Sequence, residues 1–435
     1  MSDGIGLAEA LLGLDGFRVL AVQDTVAEVA VTVETTAERV ACSGCGVRAE
    51  AHDRLRVDIR DLPCFGRPAR LVWLKRRWRC REPRCPVKTW TERAQPVLSR
   101  SVITVRAGLE ATRQVGQLAR PVAEVARELG VCWWTVMNAV VQHGRPLVDN
   151  PGRVGVTRAL GVDETTFQSA NREHTTLYAT GMVDLDQRVM IDIVEGNSAS
   201  ELRRWTQNRD QAWLDRVEVV ATDLAESYRA GLSPSLDHAV RVADPFHVVR
   251  VANRTVDSVR RRVQNETLGH RGRKADPLFR IRKLLLSGVE RMDEQGQERI
   301  LLGLRAGDPD DELLGAWLAK ESVRDVYLTE DVADATVLLD KAVAGCTSDV
   351  VAEIRSLGHT LERWHDEILN HHRTGASNGP TEGLNLCVKA VKRAGRGFST
   401  FAHYRLRVLL HAGGVSWPQR PSPPPIRTRA PHLDA

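Results

Sequence analysis

The stretch from residue 157 to residue 250 constrains the fold most, because its hydrophobic period changes in a fixed order. Thr157 to Val162 is a short apolar strand, and Asp163-Glu164 follow it. Thr175 to Val183 and Arg188 to Val194 alternate like two further strands, with Asp184-Leu185-Asp186-Gln187 as the turn between them. Ser198 and Glu201 form a capping box that opens a helix to about Leu214. Val217 to Ala221 makes a fourth strand, ending in Thr222-Asp223. A short helical stretch leads to a fifth strand, His238 to Val242, which ends in Ala243-Asp244. The first three strands suit an antiparallel meander and the later ones parallel crossovers, so this part of the chain is expected to be a mixed helix–sheet layer.

That order places Asp163 and Asp223 at the ends of different strands, where carboxylates of one sheet converge on one edge. A third carboxylate arrives in Ser377-Asn378-Gly379-Pro380-Thr381-Glu382-Gly383-Leu384-Asn385. Asn378 reads as a cap and Pro380 as a first helical residue. Glu382 then falls in the first turn, with Asn385 and Lys389 on its face. Two Asp and one Glu are hard oxygen ligands suited to Mg²⁺ or Mn²⁺. Two such ions can clamp an in-line phosphoryl displacement. Each acid alone reads equally as a cap or an ion-pair partner, and with 56 acidic residues only the local settings single these three out. Asp244 has two readings, as an auxiliary metal ligand or as the cap of the following helix. His247 is either a phosphate contact or proton shuttle, or a residue packed beneath that helix. Glu164 is set aside because strand neighbours point to opposite faces.

Upstream, Cys42-Ser43-Gly44-Cys45 is a tight knuckle, and Cys80 and Cys85 form a second close pair. Four soft ligands on two turns supply a tetrahedral Zn²⁺ site. Cys64 and His52 are possible substitutes, and Cys132, Cys346 and Cys387 stand alone. Gly4 to Val22 lacks a basic start and carries Glu9 and Asp15, so it does not read as a signal peptide. A reducing, cytoplasmic setting is therefore expected, and it favours metal over disulfides. Ala69 to Lys75 alternates as a strand with one solvated face. Trp73, Trp78 and Trp90 could stack on bases, but core filling is the stronger reading.

Charge is unevenly placed. The net is only +5, yet residues 36–100 carry 16 basic and 7 acidic residues, residues 247–283 carry 11 and 3, and residues 389–407 carry 6 and none. Three basic blocks favour a polyanionic partner, most simply nucleic acid. A composition of 42% hydrophobic and 27% charged residues excludes a mostly disordered chain. No apolar run reaches the roughly 18 residues of a membrane span. Val102 to Ala119 reads as an amphipathic helix broken at Arg120-Pro121. A short helix ends at Gly130, and Cys132 to Gln142 forms the next. This helix, Gly turn, helix order is a helix-turn-helix. Its second helix would present Trp133, Thr135 and Asn138 to a major groove.

Taken together, Gly161-Val162-Asp163-Glu164, Val220-Ala221-Thr222-Asp223, Ala243-Asp244-Pro245-Phe246-His247-Val248-Val249 and the Asn378–Asn385 motif resemble a bacterial insertion-sequence transposase of the DDE type, the ISL-three family. The resemblance extends over about residues 40–412, including the Cys pairs and the helix-turn-helix. It implies an RNase H-like catalytic core, with Asp163, Asp223 and Glu382 as the Mg²⁺-binding (or Mn²⁺-binding) triad. It also implies a helical insertion at about 250–376. Within it, Val251 to Asn265, Pro277 to Gln297, Asp311 to Leu318, Asp331 to Ala344 and Asp349 to His371 carry helical patterning. Leu386 departs from the polar residue that family would place there.

The expected division is a zinc-binding domain (1–98), an all-α helix-turn-helix (99–150), a catalytic domain (151–412) and a Pro-rich disordered tail (413–435). The expected fold class is therefore α+β multidomain, and the expected function is a DNA transposase. It would bind terminal inverted repeats, cut and join strands, and act as a homo-oligomer on double-stranded DNA with no membrane partner. Lys389, Lys392, Arg393 and Arg396 would contact phosphates. A noncatalytic DNA-binding regulator is the alternative, and a structure-specific nuclease a third reading.

Overall fold

The computed structural model describes residues 2–172 and 174–418, which form two compact units. All of the expected Pro-rich tail beyond Pro418 lies outside the described residues. One unit comprises the chain up to Arg153 and from Val391 onward, and the other runs from Val154 to Ala390. The four-part division expected from the sequence does not nest in these units, since residues 391–412, expected in the catalytic domain, group with the first unit.

The first unit opens with helix α1 (Ser2–Leu12) and a mixed sheet of β1 (Phe17–Asp24), β2 (Val29–Thr35), β3 (Glu50–Cys64), β4 (Arg67–Arg79) and the short β5 (Thr89–Thr91). The strand order is β1-β2-β4-β3, with β5 on β4. β4 is an interior strand. Ala69, Leu71 and Trp73 are buried as the alternation requires, but Val72 is buried too, so the face expected to be solvated is partly covered. Trp73 meets Phe17 edge-on at 5.3 Å, and its indole N–H donates to Glu92. Three helices follow: α2 (Val105–Gly116), α3 (Val122–Leu129) and α4 (Trp133–Val148). Thr104 caps α2 by accepting the N–H of Ala107. Gly130 ends α3 in the left-handed conformation (φ 66°), the turn that a β-carbon would strain.

The second unit holds a five-stranded sheet of β6 (Ala159–Gln168), β7 (Leu177–Asp184), β8 (Val189–Glu195), β9 (Val219–Thr222) and β10 (Val240–Ala243). Its order is β10-β9-β6-β7-β8. The β6-β7-β8 meander is antiparallel, and β9 and β10 run parallel to β6, as expected. This is the RNase H-like topology. The crossover to β9 is two helices rather than one: α5 (Ala199–Gln207) is capped by Ser198, and Asp210 caps α6 (Gln211–Leu214). Helix α7 (Glu226–Leu236) leads to β10.

The expected insertion is helical throughout its described elements, and its first helix starts earlier than the basic pattern implied. Helix α8 (Pro245–Leu268) begins directly after β10, with Pro245 in its first turn. It is followed by α9 (Pro277–Ile281), α10 (Glu294–Gly307), α11 (Glu312–Asp325), α12 (Val332–Thr347), α13 (Ala352–Arg363) and α14 (His365–Thr374). The single helix expected over Pro277 to Gln297 is broken, because Asp293 accepts the N–H of Gly296 and starts α10 afresh. The carbonyls of Leu285 and Ser287 in the gap are met by the ammonium of Lys320, which is fully buried on α11. Helix α15 (Gly379–Gly395) closes this unit and carries the chain on to the first one, where α16 (Phe401–Ala412) sets Leu410 against Gly116 of α2 and Gly144 of α4. No helix among the described residues is long and apolar enough to cross a membrane.

Candidate active site

Cys42, Cys45, Cys80 and Cys85 converge, with their sulfur atoms all within 4.8 Å of one another. Cys42 and Cys85 lie 3.7 Å apart, and Cys45 and Cys80 3.5 Å apart. The knuckle is made by backbone bonds from Cys42 N–H to Val47 and from Gly46 N–H to Cys42. Nearby amides, that of Gly44 foremost, pull the Cys42 thiol down to about 7, toward the thiolate a metal requires. Four thiols so placed fit Zn²⁺. Cys64 instead donates to the Leu62 carbonyl, and His52 is exposed on β3, so neither joins the cluster. Trp78 is buried and Trp90 packs against the cysteines, which bears out the core reading.

At the start of α4, Trp133 meets Trp134 edge-on at 4.8 Å, with His403 of α16 beside both. Thr135 is half-buried, with its hydroxyl 3.1 Å from Cys132 Sγ, and Asn138 is exposed. Lys389 and Arg393 are exposed on α15 and Lys392 is half-buried there, while Arg396 follows just beyond the helix.

The second unit gathers the acids. The parallel register sets Val162 of β6 beside Thr222 of β9, so the next residues, Asp163 and Asp223, are neighbours. Asp163 is not at a strand end as expected. β6 runs on to Gln168 because its later residues keep pairing with β7. Glu164 points the other way, is exposed and bonds Asn197. Asp163 is nearly buried, and its two oxygens accept from the Glu164 N–H (2.8 Å) and from Asn385 Nδ2 (2.7 Å). Burial, with the Asp223 charge beside it, pushes the Asp163 carboxyl up to about 6.

His247 links two groupings. Its ligand atom lies with those of Asp163 and Asp223 inside 4.8 Å, and again with those of Asp244 and Glu382. Its Nδ1 touches Asp223 Oδ1 and sits 3.5 Å from Asp244 Oδ2. Asp244 occupies the cap position of α8, but its side chain does not cap. Its Oδ1 takes the backbone N–H of Asn378 (2.9 Å), while Oδ2, also buried, accepts no hydrogen bond. Asn378 likewise leaves the capping role expected of its side chain and donates Nδ2 to the Val162 carbonyl (3.2 Å). The start of α15 is thereby fastened to β6 and β10, which brings Glu382 to Asp244 and His247, though not into the grouping of Asp163 and Asp223. Gly161 makes this possible: a β-carbon there would stand 2.5 Å from Thr381 Oγ1 and 2.7 Å from Asn378 Oδ1. Arg250, counted in the sequence only within the basic block 247–283, reaches Asp223 Oδ2 at 3.4 Å.

Carboxylates at such range repel one another, and the buried Asp244 Oδ2 is left without a hydrogen-bond donor. This donor set suits a divalent cation.

The fold and this cluster define an RNase H-like protein, and the comparisons sharpen that class. The chain belongs to the ISL-three (ISL3) family of transposases, whose family model, described as "Transposase", matches residues 160–408. A second model, the zinc-finger of transposase IS204/IS1001/IS1096/IS1165, matches residues 38–85 and spans all four clustered cysteines. The chain is 25% identical over 417 residues to the transposase for insertion sequence element IS1001 of Bordetella parapertussis, covering 92% of this chain and 97% of that one. It is also 25% identical to the transposase for IS1557 of Mycobacterium tuberculosis, over 66% of this chain and 68% of the relative. The Drosophila P element transposase strand transfer complex aligns over 73% of this chain and 92% of that one, with a TM-score of 0.37 and 10% identity.

Proposed function

We propose that this transposase binds the terminal inverted repeats of its own element and cuts and joins DNA strands at a metal centre held by Asp163, Asp223 and Glu382. The observation that carries the proposal is Asp163, buried on β6, beside the half-buried Asp223 just past β9, with His247 shared between that pair and a second grouping of Asp244 and Glu382, to which the Asn378 fastening delivers Glu382. Bound Mg²⁺ or Mn²⁺ would supply the Lewis acidity that activates water or a 3′-hydroxyl and steadies the leaving oxygen. The chain supplies placement. Asn385 and the Glu164 N–H fix both oxygens of Asp163. His247 and Arg250 hold Asp223 from its other side.

Recognition of the element ends falls to the first unit in this reading. Residues 1–98, with Zn²⁺ on Cys42, Cys45, Cys80 and Cys85, and residues 99–150, with Trp133, Thr135 and Asn138 on α4, recognise the ends. Lys389, Lys392, Arg393 and Arg396 contact phosphates, and two element ends call for at least two protomers.

The test is a set of single variants, Asp163→Asn, Asp223→Asn and Glu382→Gln, assayed for binding and for Mg²⁺-dependent cleavage of DNA carrying the element ends. Each variant should bind as wild type and cut no strand. Undiminished cleavage by any one of them would remove that residue from the mechanism.

A further inference from the structure

Beside the acids, the first turns of α8 present Phe246, which has no part in the metal centre, and Arg250, whose part there is only to hold Asp223. Phe246 immediately precedes His247, yet the residue is 54% exposed. Single exposed apolar side chains are ordinary on a protein surface. This one is distinguished by its neighbours. Its ring lies 5.4 Å from the buried His247 ring, and the Arg250 guanidinium lies 5.8 Å from its centroid. Spacing of four along the helix puts Phe246 and Arg250 on one face. Arg250 also reaches Asp223 Oδ2, so the same guanidinium borders both the aromatic ring and the acid cluster. Its Nε is buried and makes no hydrogen bond among the described residues, which leaves a donor unspent.

An open aromatic face next to a cation is the chemistry that holds an unstacked nucleobase and its phosphate. A base drawn out of the stack beside a cut loses its stacking partners, and an aromatic platform lowers that cost. We propose that Phe246 and Arg250 form a nucleotide subsite that takes one unpaired base next to the scissile phosphate, with the base on the Phe246 ring and its phosphate on the Arg250 guanidinium. This rests on the reading of the acids as the strand-cutting centre. It adds a ligand class, a single extruded nucleotide, at Phe246, which has no role there, and at Arg250, which there only holds Asp223.

The test uses the full-length protein and duplexes spanning its mapped cleavage position. Cleavage rates are compared on fully paired DNA and on DNA mismatched at successive positions beside the cut. Phe246→Ala should slow cutting of paired DNA on the order of 10–100-fold, in the range that loss of base–aromatic stacking supports. A mismatch at one position should restore Phe246→Ala to within a few-fold of wild type, and Phe246→Trp should cut paired DNA normally. Arg250→Ala should slow both substrates, and Arg250→Lys should recover part of that loss. If Phe246→Ala cuts paired DNA at the wild-type rate, or if no mismatch restores it, the subsite is wrong while the metal-centre reading stands. If the wild-type protein itself makes no metal-dependent cut, that reading falls and the subsite falls with it.

Discussion

Asp163 concentrates the chemistry of the site in one carboxyl. In the unfolded chain it ionises near 3.8, and in the metal-free fold near 6. The folded state therefore holds its proton to higher pH than the unfolded state. Metal-free stability falls as pH rises from about 4 to 6 and stays lowered above that window. At about 1.36 kcal/mol per pH unit the penalty is roughly 3 kcal/mol. Asp163→Asn removes it, so in EDTA at pH 8 the variant should unfold at higher denaturant than wild type, and the two should converge near pH 4. An unchanged gap between pH 4 and pH 8 would contradict this. Asn385, which donates to Asp163, should act through it. Asn385→Ala should raise the Mg²⁺ concentration needed for half-maximal cleavage on the order of 10–100-fold while DNA binding holds. Both aspartates were legible in the sequence from their strands. Asn385 was visible only as a residue on the Glu382 face, because its partner is 222 positions away and no local pattern records that contact. Arg250 was hidden in the basic block 247–283 for the same reason.

Among the elements, periodicity gave the sheet and most helices, while side-chain competition set their ends. β6 outran its expected end, and Asp293 restarted a helix in the insertion. The fastening of α15 to β6 was beyond any local signal, since it depends on the missing β-carbon of Gly161. Gly161→Ala should force Asn378 and Thr381 outward. It should lower the stability of the second unit by about 1–3 kcal/mol and abolish cleavage while leaving DNA binding intact. Wild-type cleavage by this variant would show that the close approach is not required. The Cys cluster was legible because its ligands come in short pairs. Metal analysis should find one Zn²⁺ per chain in the wild type. Cys42→Ser should lose it together with DNA binding, with the unfolding of the second unit unchanged. Retained DNA binding without zinc would separate the cluster from recognition.

Across the whole molecule, two of the three basic blocks, residues 36–100 and 389–407, fall in or beside the segments proposed to meet DNA, while the net charge is only +5. The two compact units divide within α15, a grouping that no single stretch of sequence displays, because the chain returns to its first unit at Val391. The account as a whole rests on metal-dependent strand breakage at the ends of one element. The most direct measurement is to incubate the protein, beside Asp223→Asn, with a plasmid carrying its own gene and native flanks, in Mg²⁺ or Mn²⁺, and to map breaks and joined products by sequencing. Breaks at a pair of inverted repeats, absent with Asp223→Asn, are the predicted result. Binding to the flanks with no break that depends on Asp223, in either metal, would contradict the account and leave a DNA-binding regulator.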